Sequence, residues 1–297
     1  MGTLFAFLSA LSFAITNLLI KKGMEKQQTK ENGYLITVIM NVLLLGLLAG
    51  VFHFLNDDPP AFSATAFLYF VLSGLLTTGL GRYSFFASIS HIGPSRASAI
   101  KNASPIFTIL FALLVLQESL SWQSAGGVAL IMAGVLSISW RAFAQPGESL
   151  SLKNVGYLLG IASALFFGIG QAIRKAGLEQ MDDAFFGAWV GAVTSLILLV
   201  VYESGKGTIK ATLRENRKLL KNPYFITAGA LNSFGPLFFF LGATYAPVSI
   251  VSAVAAVEPL LTVLLSRLFF HMMEQLPLAV WSAAVLVFSG TCLMILL

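Results

Sequence analysis

Ten apolar stretches of 17 to 26 residues run along the chain, separated by short polar breaks: Leu4–Ile20, Tyr34–Leu55, Ala64–Ile89, Ala97–Leu116, Trp122–Trp140, Val155–Ile173, Ala184–Tyr202, Tyr224–Tyr245, Ile250–Phe270 and Leu278–Leu296. About 20 apolar residues in a helix cross a hydrocarbon layer of roughly 30 Å. Lipid offers no partner to an unpaired N–H or C=O, so open segments in it are helical. The breaks hold residues that suit loops and helix ends, among them Asn56-Asp57-Asp58-Pro59-Pro60, Gly93-Pro94-Ser95, Gln145-Pro146-Gly147, Asp182-Asp183 and Ala246-Pro247. The pattern predicts an all-α integral membrane protein with ten transmembrane helices. The first stretch has no basic residue before it and no small-residue cleavage site after it, so it reads as a retained helix.

Composition agrees. Apolar residues make up 57% of the 297 and charged ones 10%, too little polar surface to clothe a soluble fold. Net charge is +5, but the cations sit mostly in short loops and signal membrane orientation before nucleic acid. No nucleic-acid partner is expected. Cys292 is the only cysteine, which excludes an intrachain disulfide.

The chain also repeats itself. With an offset of 154, Leu4 aligns with Leu158, Ser9-Ala10-Leu11 with Ser163-Ala164-Leu165, Phe13 with Phe167, Lys21 with Lys175 and Gly23 with Gly177. Each copy holds five stretches, and because five is odd the second copy enters the membrane from the opposite side. The expected organisation is a first five-helix repeat over 1–140, a linker over 141–153 and an inverted second repeat over 154–297.

Further motifs recur in both copies. Ser84-Phe85-Phe86-Ala87, Gly93-Pro94-Ser95, Pro105 and Glu118 in the first echo Phe239-Phe240-Leu241-Gly242-Ala243, Ala246-Pro247-Val248, Glu258-Pro259 and Glu274 in the second, with Pro259 to Glu274 two residues longer than Pro105 to Glu118. In this arrangement the chain resembles the drug/metabolite transporter superfamily, EamA type, over essentially its whole length. The resemblance implies an exporter or exchanger of amino acids, metabolites or drugs in the plasma (inner) membrane, with both termini in the cytosol and no nucleotide-binding domain. Small multidrug exporters of the same superfamily use a membrane-embedded acid in their first helix, which this chain lacks.

Charges inside the spans are costly, at least ~2.5–3.5 kcal/mol each at the bilayer centre, and should face a cavity or a partner. Arg82, Lys101 and Glu258 are three such charges. Counted at 1.5 Å per residue from Gly93 and Pro247, all three fall roughly 12–16 Å below a membrane face, near the midplane. Arg82 and Lys101 suit a substrate carboxylate or phosphate, and Glu258 an amine or a coupling proton. Alternatively, Lys101 and Glu258 form a fixed ion pair between the fourth and ninth spans, and Arg82 snorkels to a loop. Asn17 and Gln171 occupy equivalent repeat positions and suit opposite walls of a polar cavity or, with Asn41, Asn102 and Asn232, bonds between helices. Pro105 and Pro259 each remove a backbone hydrogen bond and predict a kink. His53, His91 and His271 lie near span ends without metal-ligand spacing, and neither metal nor other cofactor is expected. Small residues at four-residue spacing, such as Gly46/Gly50 and Ala125/Ala129/Ala133, suit close packing within a monomer or a weak homodimer.

Loop charge and resemblance disagree on sidedness. The face carrying the loop after the first span holds 13 loop cations against Arg174 and Lys175 on the other, which puts both termini outside the cytosol. No Walker motif, Gly-x-Ser-x-Gly or His/Asp cluster points to ATP use or to an enzyme. The expectation is a secondary transporter of a small polar or zwitterionic metabolite such as an amino acid, working by alternating access at a midplane site. Cationic-drug export and a non-transporting scaffold are the alternatives.

Overall fold

The computed structural model describes residues 1–28, 33–56, 60–92, 94–140, 150–270, 282, 285–290 and 292–293, and these hold helices and no strand. The helices are α1 (Gly2–Gln27), α2 (Tyr34–Leu55), α3 (Ala64–Gly74), α4 (Arg82–Ile92), α5 (Pro94–Lys101), α6 (Ser104–Leu114), α7 (Trp122–Trp140), α8 (Leu150–Gln180), α9 (Ala184–Gly205), α10 (Ile209–Leu219), α11 (Pro223–Tyr245), α12 (Val248–Ala255) and α13 (Glu258–Phe270). Seven continuous helical runs are long and apolar enough to cross a membrane. α5 with α6, and α7, account for the fourth and fifth stretches. Much of the tenth, Leu278–Leu296, lies outside the described residues, as do Glu274 and His271, although residues 285–290 are helical. This is an all-α, multi-pass membrane protein.

Helix starts follow local chemistry. Ser63 Oγ accepts from Ala66 N, Asp183 Oδ1 from Phe186 N at 2.8 Å, and Asn222 Oδ1 from Tyr224 N ahead of Pro223. Leu43, Leu47 and Val51 form an exposed stripe on α2, and the buried positions of α1 are small: Gly2, Ala6, Ser9, Ala10 and Ala14. Large residues outward and small ones inward is the packing of a bundle whose solvent is lipid.

Two pairs of hydrogen bonds carry the repeat into three dimensions. Ser9 Oγ donates to the Gly235 carbonyl at 2.7 Å, and Ser163 Oγ to the Gly81 carbonyl at 2.9 Å; the 154-residue offset turns one bond into the other. Likewise Asn232 Nδ2 donates to Asn41 Oδ1 at 3.3 Å and Ser195 Oγ to Thr78 Oγ1 at 2.8 Å. The start of α1 packs on Ala246 at the end of α11, and Gly156 near the start of α8 packs on His91 and Ile92 at the end of α4. α1 and α8 are therefore equivalent helices running in opposite directions.

Three spans depart from a regular α-helix. Between α3 and α4, Leu75–Gly81 forms a π-helical segment. The fourth and ninth spans tighten at residues 102–103 and 256–257, two residues ahead of Pro105 and Pro259: Ala103 N donates to the Ile100 carbonyl and Val257 N to the Val254 carbonyl, so a single tight turn with Ala103 and Ala256 still in right-handed helical conformation joins α5 to α6 and α12 to α13. Pro105 and Pro259 have no N–H for the carbonyls of Lys101 and Ala255. The Gly168 carbonyl accepts from Thr108 Oγ1 at 3.0 Å, and a Cβ on Gly168 would come within 2.5 Å of the Ser104 carbonyl, so α8 clasps the fourth span closely.

The halves are also tied at the amino-terminal face. The Glu118 carboxylate accepts from Val248 N at 2.6 Å, Ser249 N at 3.2 Å and Ser249 Oγ at 2.6 Å, capping α12 from the other half. His53 Nε2 meets buried Asp183 Oδ2 at 3.1 Å on the same face.

α8 runs on to Gln180, seven residues past the predicted end of its span, so Arg174 and Lys175 are not loop cations. Lys175 donates to the Ala243 carbonyl at 2.8 Å, and Arg174 turns into the bundle. On the opposite face α10 presents Lys210, Arg214, Arg217 and Lys218 to solvent. Lys21, Lys22 and Lys26 lie within α1 in the same way, and with the helical cations of both faces set aside the excess stays on the face of α10, which is expected to lie in the cytosol. In a Cys292→Ser background, an impermeant maleimide should label Ala61→Cys in intact cells and Gly205→Cys only after permeabilisation. The reverse pattern would overturn the charge argument.

Candidate functional site

A cavity of about 350 Å³ lies between the two sets of helices, within the usual 300–1,000 Å³ of small-molecule sites. The expected site residues Asn17, Arg82, Lys101, Asn102, Pro105, Gln171, Asn232, Glu258 and Pro259 all line it, as does Asn41. The fold explains the convergence, because the starts of α6 (Ser104-Pro105) and α13 (Glu258-Pro259) both lie in the cavity wall.

Glu258 is the first residue of α13, where the partial positive charge of a helix N-terminus favours a carboxylate. Asn17 Nδ2 of α1 donates to Glu258 Oε1 at 2.7 Å. The equivalent residue at the start of α6 is Ser104, so the halves differ in charge at matched points. Lys101 Nζ ends α5 and lies 5.2 Å and 5.9 Å from the ring centres of Phe167 and Phe85. Among the described residues no ion pair joins Lys101 to Glu258 within 4 Å. Arg82 does not snorkel: its guanidinium stacks 3.6 Å above the Tyr34 ring, inside the cavity wall.

The amides line the cavity and bond between helices. Gln171 Oε1 accepts from Ser252 Oγ at 3.0 Å and Thr108 Oγ1 at 3.3 Å, tying α8 to α12 and α6 while lining the cavity. Asn232 binds Asn41, which also receives Ser233 Oγ at 3.0 Å. Thr16, almost fully buried with a hydroxyl lacking a partner, stands beside Asn17.

Sequence reading missed Arg174. Helical side chains lean towards their N-terminus, so Arg174 of α8 points from the amino-terminal face towards the midplane. There its Nε donates to Ser73 Oγ at 3.2 Å and Nη2 to Thr77 Oγ1 at 3.5 Å, with the Phe239 and Phe240 ring centres 5.3 and 5.2 Å away. The available signal was the amphipathic continuation Gln171–Gln180, which never breaks with Gly-Pro or Asn until Asp182.

Comparison with known proteins now bears on this site. The profile of the EamA-like transporter family matches residues 1–140 and 154–296. The chain belongs to that family. Among similar proteins, the uncharacterized transporter YcxC of Bacillus subtilis is 31% identical over 46% of this chain, an alignment spanning 45% of that relative. The uncharacterized transporter YvbV of the same organism is 26% identical over 80% of this chain and 72% of its own length. The pseudopaline exporter CntI of Pseudomonas aeruginosa is 25% identical over 72% of this chain and 70% of its own. One crystal structure superposes on 99% of this EamA-family chain and 96% of its own, with TM-score 0.71 at 15% identity, a likeness of fold.

Proposed function

We propose that the protein is a secondary transporter of a small polar or zwitterionic metabolite, an amino acid or related compound, moved by rocking of two inverted five-helix halves about the cavity. The observation that carries this reading is one midplane cavity holding Arg82, Lys101 and Glu258 without mutual ion pairs. Charges kept in a low-dielectric interior without a countercharge favour an occupant that supplies one. In this reading Arg82 and Lys101 hold an anionic group of the solute, Glu258 holds its amine or a coupling proton, and Asn17 orients Glu258. The starts of α6 and α13 line the site, as helix ends do in transporters of inverted-repeat build. Export as the direction is supported by a relative named as an exporter. The multidrug-cation alternative is weakened by the cationic lining. Metabolite profiling of medium and cytosol with and without the protein tests the reading, followed by uptake of the identified solute into proteoliposomes; no change in any solute would overturn it.

Lys101→Met is expected to weaken affinity for carboxylate-bearing solutes at least tenfold. Its thermal stability should stay within about 1 kcal/mol of the parent, since only contacts with aromatic faces are lost. A large destabilisation rescued by a second apolar substitution at Glu258 would point instead to the structural lock.

A further inference from the structure

Among the described residues the cavity is lined by three cations, Arg82, Lys101 and Arg174, and by one carboxylate, Glu258. None of the cations has a carboxylate within 4 Å. Each is held by neutral groups: Arg82 by the Tyr34 face, Lys101 by Phe85 and Phe167, Arg174 by two hydroxyls and two phenylalanine faces. Thr77 Oγ1 already donates to the Ser73 carbonyl at 2.8 Å, so its lone pairs face the guanidinium. Of the five donors of Arg174 two are engaged, and three remain for a ligand.

The cations are also apart. Lys101 Nζ lies 5.2 Å from the ring centre of Phe167 on α8, and Arg174 is seven residues further along that helix, roughly 10 Å at 1.5 Å per residue, with both side chains in the cavity wall. A single carboxylate at the Arg82 and Lys101 end leaves Arg174 unanswered.

Resting on the transporter reading above, the geometry points to a solute class: an extended amino-dicarboxylate, one carboxylate held by Lys101 with Arg82, the amine by Glu258, and the distal carboxylate by Arg174. Three cations and one carboxylate in the wall are complementary in sign to two carboxylates and one amine, and the loaded site keeps one net positive charge. Arg174 is then a specificity-determining residue that separates diacids from neutral amino acids of the same length. Its guanidinium suits that role, because a planar fork meets a carboxylate in bidentate fashion.

The probes are L-aspartate, L-glutamate and L-2-aminoadipate, with L-norleucine as the neutral counterpart of aminoadipate and L-lysine as the cationic one. Thermal stabilisation of the full-length protein in detergent reports binding, and counterflow in proteoliposomes reports transport. At least one diacid should stabilise the protein with a midpoint ten or more times lower than norleucine, and raising ionic strength should weaken it. Arg174→Gln should bring the diacid-to-norleucine ratio towards one, while Arg174→Lys keeps part of it. A merely structural Arg174 would lower stability in both variants and leave the ratio unchanged, which overturns the proposal. Equal binding of norleucine, stabilisation by lysine alone, or no stabilisation by any diacid overturns it too. Transport of neutral amino acids as fast as diacids would leave the transporter reading standing and end this inference. Diacid binding without counterflow of any solute would do the opposite.

Discussion

Glu258→Gln is expected to reduce transport of the identified solute at least ~100-fold in proteoliposomes while the protein still inserts and purifies as a monodisperse species. The substitution is nearly isosteric, and the glutamine carbonyl can still accept from Asn17, so packing and the bond now 2.7 Å long survive. What disappears is the one negative charge that the described cavity wall holds, at the start of α13. Loss of a charge-assisted contact that forms only with substrate costs about 1.5–3 kcal/mol in affinity, and loss of a coupling proton removes turnover altogether. Near-normal uptake by this variant would make Glu258 a structural residue. Unfolding of the variant in detergent at the same temperature as the parent is the companion measurement, since it keeps the two explanations apart.

The second large effect is on stability. Glu118→Ala should lower the unfolding free energy by about 2–4 kcal/mol, because it orphans the first N–H groups of α12 in a partly buried place. Pro247, the residue before α12, has no side chain that could replace the cap, and the carboxylate of Glu118 receives all three donors there. Glu118→Gln should lose about half as much, since one oxygen remains. Ser249→Ala should cost about 1 kcal/mol, the value of one hydroxyl bond. An alanine variant as stable as the parent would show that the cap contributes nothing. Melting in detergent measures all three.

Much of this architecture was legible because lipid makes few demands and makes them strictly. A run of about 20 apolar residues with polar ends has one economical fold, and a chain written twice reveals its own symmetry. Residues such as Asn17, Lys101 and Glu258 stood out because a polar group inside such a run is expensive, and the structure brings them to one cavity. Arg174 was hidden for the same reason inverted. A hydropathy reading stops at the first basic pair, but a helix need not, provided the pair finds acceptors; Lys175 finds the Ala243 carbonyl and Arg174 finds Ser73 and Thr77. At the two prolines the chain answers the missing N–H with a tight turn, Ala103 N to the Ile100 carbonyl and Val257 N to the Val254 carbonyl, and Gln171 of α8 holds Thr108 and Ser252 of the two spans together. The π-helical segment had no clear signature beyond Thr77-Thr78-Gly79 and Gly81.

That segment gives Arg82 a mechanical property. A π turn stores extra residues compared with an α turn, so the helix beyond it is out of phase with the helix before it. Each residue of an α-helix advances by about 100° around the axis. If the seven residues Leu75–Gly81 release one residue of slack, α4 rotates by that amount relative to α3, and Arg82, the first residue after the slack, swings from the cavity wall towards the neighbouring helix. The span would thus withdraw a cation from the interior by a screw motion without tilting, at the cost of the contacts that His91, Ile92 and the Ser88 hydroxyl of α4 make with Gly156 of α8.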